Sequence, residues 1–135
     1  MKSAAGYSGT PLLQKLGIKE EMKVKLISEP LNYFNLLQKD IASQLCKKNE
    51  TPDLVHLFAK ARKDFEAAMK KIKRKMKPTT IIWVSWYKKS AGIATDITED
   101  VIRDYALQND LVDVKVCAVS DVWSGLKLVV PLAKR

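Results

Sequence analysis

The 135 residues contain one histidine, two cysteines and five glycines, and no glycine lies between positions 18 and 91. Each scarcity removes a class of function. Cys46 and Cys117 stand far apart and outside any metal-ligand spacing, so a disulfide framework and a zinc site lose their support, and both read as reduced thiols. With His56 the single imidazole, a histidine-rich metal centre is excluded. No segment reaches the ~20 apolar residues that span a bilayer. The opening MKSAAGYSGTPLLQKLG has no continuous apolar stretch of the kind an export signal carries, so a cytoplasmic protein is expected. Neither an internal repeat nor a low-complexity tract is present, and no serine has the G-x-S-x-G setting of a nucleophile elbow.

What is present is an ordinary globular mixture, 47% apolar and 29% charged, of a length that suits one domain. A single α/β domain over 1–135 is expected, with residues 1–10 a flexible or clasping segment. The formal charge of +9 is concentrated: KARKDFEAAMKKIKRKMK, residues 60–77, carries nine basic residues against two acidic ones. Phe65, Ala68, Met69, Ile72 and Met76 fall at helical spacing in that stretch, which predicts an amphipathic helix with a solvated charged side. Lys70, Lys71, Lys73, Arg74 and Lys75 are its candidate polyanion contacts, although no aromatic side chain interleaves with them for base stacking. Nucleic acid is therefore a weaker expectation than a solvated face.

The rest of the chain alternates strand and helix signals. Thr10 and Pro11 open a short helix, LLQKL, closed by Gly17. Residues 22–28, MKVKLIS, alternate apolar and lysine as a strand near a sheet edge, and Leu31, Tyr33, Phe34 and Leu37 take helical spacing after Pro30. Residues 53–59, DLVHLFA, form a short continuous apolar run suited to a buried parallel strand, and the basic helix then leads to a third strand, IIWVSW. Asp96 and Glu99 are spaced as a capping box for the next helix, with Val101, Ile102, Tyr105 and Ala106 as its buried stripe. A strand follows over residues 111–119. The connection Ser120 to Gly125 is too short for a parallel crossover, so the last strand, 126–130, must return antiparallel. Trp123, Ser124 and Gly125 are expected at that hairpin's mouth, Gly125 at a bulge and Trp123 over an exposed sheet end, where it would also serve self-association.

This order describes a single three-layer, Rossmann-like sheet with parallel strands and a closing antiparallel hairpin, and it resembles a reduced methyltransferase sheet. In those enzymes a glycine-rich turn after the first strand admits S-adenosylmethionine and an acidic residue ending the second strand binds its ribose. The corresponding turn here is Ser28-Glu29-Pro30-Leu31-Asn32, in which side chains and a proline ring oppose close approach, so no S-adenosylmethionine cofactor is expected. The stretches GYSGTPLLQKLGI, VHLF, WVSWYKKSAG, TDITEDVIRDYA and LVDVKVCAVSDVWSGLKLVV further resemble a small bacterial family of unknown function. That resemblance covers nearly the whole chain and implies a compact methyltransferase-like fold, but no activity. Tyr87 stands where the family often has proline.

Ligands of such sheets gather at the carboxyl ends of the parallel strands. Ser28 and Glu29, then Ser85, Trp86, Tyr87, Lys88, Lys89 and Ser90, are the candidates, with an anion seated between Lys88 or Lys89 and the start of the helix near Asp96, against Trp86. Solvated lysines and core tryptophans are the plainer reading of the same residues. His56 alternates with Leu54 and Phe58 towards a helix-covered face, so a neutral core imidazole with one hydrogen-bond partner is favoured over a catalytic base. Ser85 or Ser124 would meet it only through the tertiary fold. No catalytic motif emerges. The reading is a binding or interaction module for an unknown protein or an anionic small molecule. A divergent transferase and a sequence-nonspecific nucleic-acid accessory protein are the alternatives, and self-association stays open.

Overall fold

The computed structural model describes residues 10–135, so the expected clasp built on Gly6 to Gly9 lies outside the described residues. Helices α1 (Leu12–Leu16), α2 (Tyr33–Leu37), α3 (Arg62–Lys75) and α4 (Glu99–Gln108) alternate with strands β1 (Val24–Ile27), β2 (Leu54–Phe58), β3 (Ile81–Tyr87), β4 (Val112–Ala118) and β5 (Trp123–Val129). The strands form one sheet in the order β1-β2-β3-β5-β4. Strands β1, β2 and β3 are parallel, whereas β5 runs antiparallel to both β3 and β4. This is the expected α/β Rossmann-like sheet with its closing hairpin.

Period-two alternation sends the strand side chains into two apolar layers. Val55, Leu57, Ile82, Val84 and Trp86 meet α3 and α4 through Phe65, Met69, Ile72, Ile102 and Ala106. Leu54, Phe58 and Trp83 meet α1 and α2 through Leu12, Leu16, Tyr33 and Leu37. Every residue of β2 is buried, which is why its sequence is a continuous apolar run broken only by His56. Phe65, Met69 and Ile72 are the buried stripe of α3, as their spacing requires, and its lysines face outward.

The connection from β1 to β2 is unusual. It steps across the sheet in the same direction as the connection from β2 to β3, and two right-handed crossovers of that kind place their helices on one face. Yet α2 and α3 pack on opposite faces. A detour reconciles them. After α2 the chain moves to the outer side of β1, where Leu45 makes an isolated parallel bridge to Val24 and the Cys46 N–H donates to the Val24 carbonyl at 2.8 Å. It then returns past the amino end of β1, where the Asp53 carboxylate accepts from the Lys23 N–H at 2.8 Å and pairs with Lys77 at 2.5 Å. Among the described residues, the side of β1 that carries Lys25 and Ile27 has no helix of its own.

Three expectations are corrected. Thr98, not Asp96, caps α4, its Oγ1 accepting from the Val101 N–H at 3.2 Å, because the Asp96 carboxylate accepts instead from the Arg62 N–H at 2.7 Å; Glu99, expected to reach back, pairs with Arg103, which also holds Asp100 at 2.8 Å and Asp113 at 3.1 Å. Trp123, Ser124 and Gly125 lie inside β5 and not at the hairpin mouth, since the turn tightens at Ser120, whose Oγ accepts from the N–H groups of Val122 and Trp123. Trp123 is consequently buried, stacked on Tyr87 with ring centres 4.4 Å apart, and covers no exposed sheet end. Gly125 sits in register between Ser85 and Cys117; the ladder's irregularity falls at Asp113 and Lys115. A Cβ at Gly125 would lie 3.3 Å from the Trp83 indole and 3.1 Å from Val119, so glycine is what lets the indole lie across β5.

Candidate functional site

Parallel register brings the carboxyl ends of β1, β2 and β3 side by side: Ile27 pairs with Leu57, Phe58 pairs with Ser85, and the Ala59 N–H donates to the Ser85 carbonyl at 3.0 Å. The expected site residues separate into layers there. Ser28, Glu29, Lys89 and Ser90 are exposed, Tyr87 and Lys88 are half-buried, and Ser85 and Trp86 are buried. Trp86 packs among the residues of α3 and α4, and the Lys88 N–H is taken by the Val122 carbonyl at 2.8 Å. Ser28 leaves β1 in the left-handed region, with φ 58°. That conformation costs an L-residue about 1–2 kcal/mol, against about 0.5–1 kcal/mol of extra chain entropy for glycine. Ser28→Gly is expected to stabilise the fold by about 0.5–1 kcal/mol, read as a higher midpoint in urea at unchanged slope.

The helix starts near these strand ends already have their negative ligands. The first N–H of α3, that of Arg62, donates to the Asp96 carboxylate at 2.7 Å, and the Thr95 hydroxyl ties the same turn by donating to the Lys60 carbonyl at 2.8 Å. At α4, Thr98 fills the cap and Glu99 and Asp100 occupy the first turn. An exogenous anion at either helix start would meet these carboxylates, which complement the helix dipole from within the chain.

Below the strand ends, His56 joins two partners. Its Nδ1 lies 2.8 Å from the Tyr33 hydroxyl and its Nε2 lies 2.7 Å from Ser85 Oγ, while its ring stacks on Phe58 at 4.3 Å. Burial pushes the imidazole down to about 3 and raises the Tyr33 hydroxyl above its ordinary range, with the Glu29 charge a smaller cause of the latter. A neutral imidazole satisfies this geometry by donating from one nitrogen and accepting at the other. All three residues are buried, so the chain of hydroxyl, imidazole and hydroxyl is a satisfied core network with no substrate within reach. The expected core imidazole is there, with two partners in place of one.

A cavity of about 940 Å³ opens instead beside β1, on the side that carries Lys25 and Ile27. One wall is β1 and the segment after the Leu45 bridge, supplying Lys25, Lys47 and Lys48; the other is the turn before α3, supplying Lys60, and the flank of α3, supplying Lys71, Arg74 and Lys75, the last of which donates across to the Lys48 carbonyl at 3.2 Å. These seven cations face two carboxylates, Glu50 and Asp64. Glu50 is engaged, accepting from the Lys47 N–H at 2.7 Å and pairing with Lys23 at 3.5 Å. Ile27, Ala67 and Ala68 give the groove an apolar base, with Val55 and Ile72 buried beneath it. Of the five candidate polyanion residues, Lys71, Arg74 and Lys75 line this groove, Lys73 lines a smaller cavity of about 240 Å³ on the other flank of α3, and Lys70 lines neither. Lys25, Lys47 and Lys48 were not singled out from the sequence; the alternating lysines of MKVKLIS and the Lys-Lys pair were the available signal.

In the turn after β1, Pro30 and a fully exposed Leu31 follow Ser28, and β2 leads into Ala59 and Lys60. Among the described residues, no helix is long and apolar enough to cross a membrane, and no three His, Cys, Asp or Glu side chains gather to hold a metal ion.

No protein-family model and no curated protein matches the chain. Solved structures do. A Streptococcus agalactiae protein of the NADB-Rossmann superfamily superposes with a TM-score of 0.60 at 9% identity, over 94% of this chain and 71% of that one. The B. subtilis M1A22 tRNA methyltransferase TrmK gives 0.60 at 12% identity over 89% of this chain, which spans 65% of TrmK. Ribosomal protein L11 methylase from Lactobacillus delbrueckii subsp. bulgaricus gives 0.56 at 8% identity over 87% of this chain and 73% of the methylase. At such identities the likeness is one of fold: a methyltransferase-like sheet.

Proposed function

We propose that this chain is a binding module that uses a methyltransferase-like sheet as scaffold and takes an anionic partner in the groove between β1 and α3. The observation that carries this reading is the groove's lining of seven cations against two carboxylates over an apolar base. Cations clustered in a concave, partly apolar surface attract anions more strongly than the same charges on an open face, because the local potentials add and water is reduced. The helix starts occupied by Asp96 and Thr98 point the same way, since they leave the groove as the electropositive concavity.

The test is a set of equilibrium titrations with polyglutamate and oligothymidylate at two salt concentrations, on the native protein and on the Lys71→Glu, Arg74→Glu, Lys75→Glu triple variant. Single-stranded nucleic acid loses affinity with salt by a log–log slope of about −0.7 per phosphate contact, so removing three contacts should flatten the slope by about 2. Polyanion binding that the triple variant leaves intact would sink the reading.

A divergent S-adenosylmethionine-dependent transferase is the second reading, favoured by one observation: Ser28 keeps a left-handed backbone at the turn after β1, the conformation a glycine turn would supply. Calorimetric titration with S-adenosylmethionine separates the two readings. A saturable heat that is unchanged in the triple variant would favour the transferase.

A further inference from the structure

We infer that the occupant of the groove is an acidic amphipathic helix of a partner protein, lying alongside α3 in the helix position that this sheet leaves empty. The inference rests on the groove being the binding surface, and it concerns the shape and chemistry of what binds there.

The position is set by the layering. Strands of a parallel sheet are ordinarily covered by helices on both faces. Here α1 and α2 cover one face, and α3 and α4 cover β2, β3 and β5 on the other, but Ile27 and Lys25 of β1 look into the groove. The groove follows α3 from Asp64 to Lys75, a run of about 16 Å at ~1.5 Å per residue, which matches roughly three turns of a second helix, and it narrows at the far end, where Lys75 Nζ donates to the Lys48 carbonyl at 3.2 Å. Along that flank α3 presents Ala67 and Ala68, whose small side chains permit the interaxial distance of about 8–10 Å at which helices pack.

The lining selects among anions. A nucleic-acid strand or a polyphosphate would satisfy the cations and leave the apolar base without a partner. The groove also carries no exposed aromatic side chain for base stacking, its one aromatic, Phe58, being buried against His56 and Trp123. A helix with one apolar stripe and acidic flanks uses both features: the stripe meets Ile27, Ala67 and Ala68, and the flanks meet Lys47 and Lys48 on one rim and Lys71 and Lys75 on the other. Among the described residues no helix supplies such a segment, since α1 and α2 are single short turns packed on the other face, α3 is basic, and the apolar stripe of α4, Ile102 and Ala106, is spent on its own sheet.

The experiment compares three probes on the full chain by methyl NMR and anisotropy. They are a synthetic 18-residue peptide with leucines at i, i+3, i+4 and i+7 spacing among glutamates, a permuted peptide of the same composition without the stripe, and a 12-residue oligothymidylate. Two variants are used, Lys71→Glu/Lys75→Glu and Ala67→Arg, the latter placing a bulky cation at an exposed position of the α3 flank. The striped peptide is expected to bind at least tenfold tighter than the permuted one, to shift the methyls of Ile27 and Ile72, and to lose affinity in both variants. Ala67→Arg separates the cases by sign, because added charge tightens a simple polyanion while added bulk expels a helix. Permuted peptide and oligothymidylate that bind as tightly as the striped peptide, weaken in Lys71→Glu/Lys75→Glu and tighten in Ala67→Arg would overturn the helix and leave the anionic groove standing. If nothing binds, or binding ignores both variants, the groove reading falls together with the helix.

Discussion

Acidification from pH 6.5 towards 4.5 is expected to remove stability at up to about 1.4 kcal/mol per pH unit through His56 alone. Its folded imidazole titrates at about 3, against an ordinary value of 6.5, because it is fully buried. Between those values the unfolded chain binds a proton that the folded chain refuses, so stability rises with pH across the window and is lost as pH falls through it. Asp53 acts in the same direction, its carboxyl lowered by the Lys23 N–H and by Lys77, but only below the ordinary carboxylate range, which leaves the upper part of the window to His56. His56→Gln keeps an amide able to bond Tyr33 or Ser85 and cannot titrate. Urea unfolding at steps of pH should show a flat profile between pH 6.5 and 4.5 for the variant and a falling one for the native chain. Equal slopes would mean that the imidazole is not held neutral, and the two hydrogen bonds drawn from it would have to be reassigned.

Trp83→Ala is expected to be the most destabilising single change, costing about 3–5 kcal/mol for the lost ring and its cavity. The indole is fully buried where α1, β3 and β5 meet, and its Nε1–H donates to the Leu16 carbonyl at 2.9 Å, one of the carbonyls that the end of α1 cannot satisfy internally. Truncation therefore also orphans a buried acceptor, worth a further ~1–3 kcal/mol. Trp83→Phe retains most of the packing and loses the bond, so its cost should fall well short of the alanine variant. Thermal unfolding followed by circular dichroism measures both. A midpoint for Trp83→Ala within a few degrees of the native chain would show that α1 docks without the indole and that Gly125 needs another explanation.

The strand and helix periods were legible because each depends on a few neighbouring residues. The run LVHLF announced a strand buried on both sides, and Phe65, Met69 and Ile72 announced the buried stripe of a helix whose lysines must face water. The shortness of the segment from Ser120 to Gly125 required an antiparallel return, and the scarcity of glycine marked the turn after β1 as a poor place for a cofactor. Capping was misread where other partners competed: Asp96 is spaced to cap α4 but reaches the distant Arg62, and Glu99 is spaced to close a box but meets Arg103 one turn along the same helix. Trp123 was misplaced for a related reason, since sequence does not reveal that β5 lies between β3 and β4, where an indole becomes interior.

By itself, then, the sequence determined the order and type of the elements, the sheet's parallel beginning and antiparallel close, and a basic helix with one dry face, because these follow from spacing along a single stretch of chain. The tertiary structure alone decided that Tyr33, His56 and Ser85 form one buried network, that Leu45 bridges the outer side of β1, and that lysines from β1, the 47–48 turn and α3 share one groove. Those arrangements join residues tens of positions apart. No local period encodes them; they appear only when packing of the two apolar layers sets which faces meet.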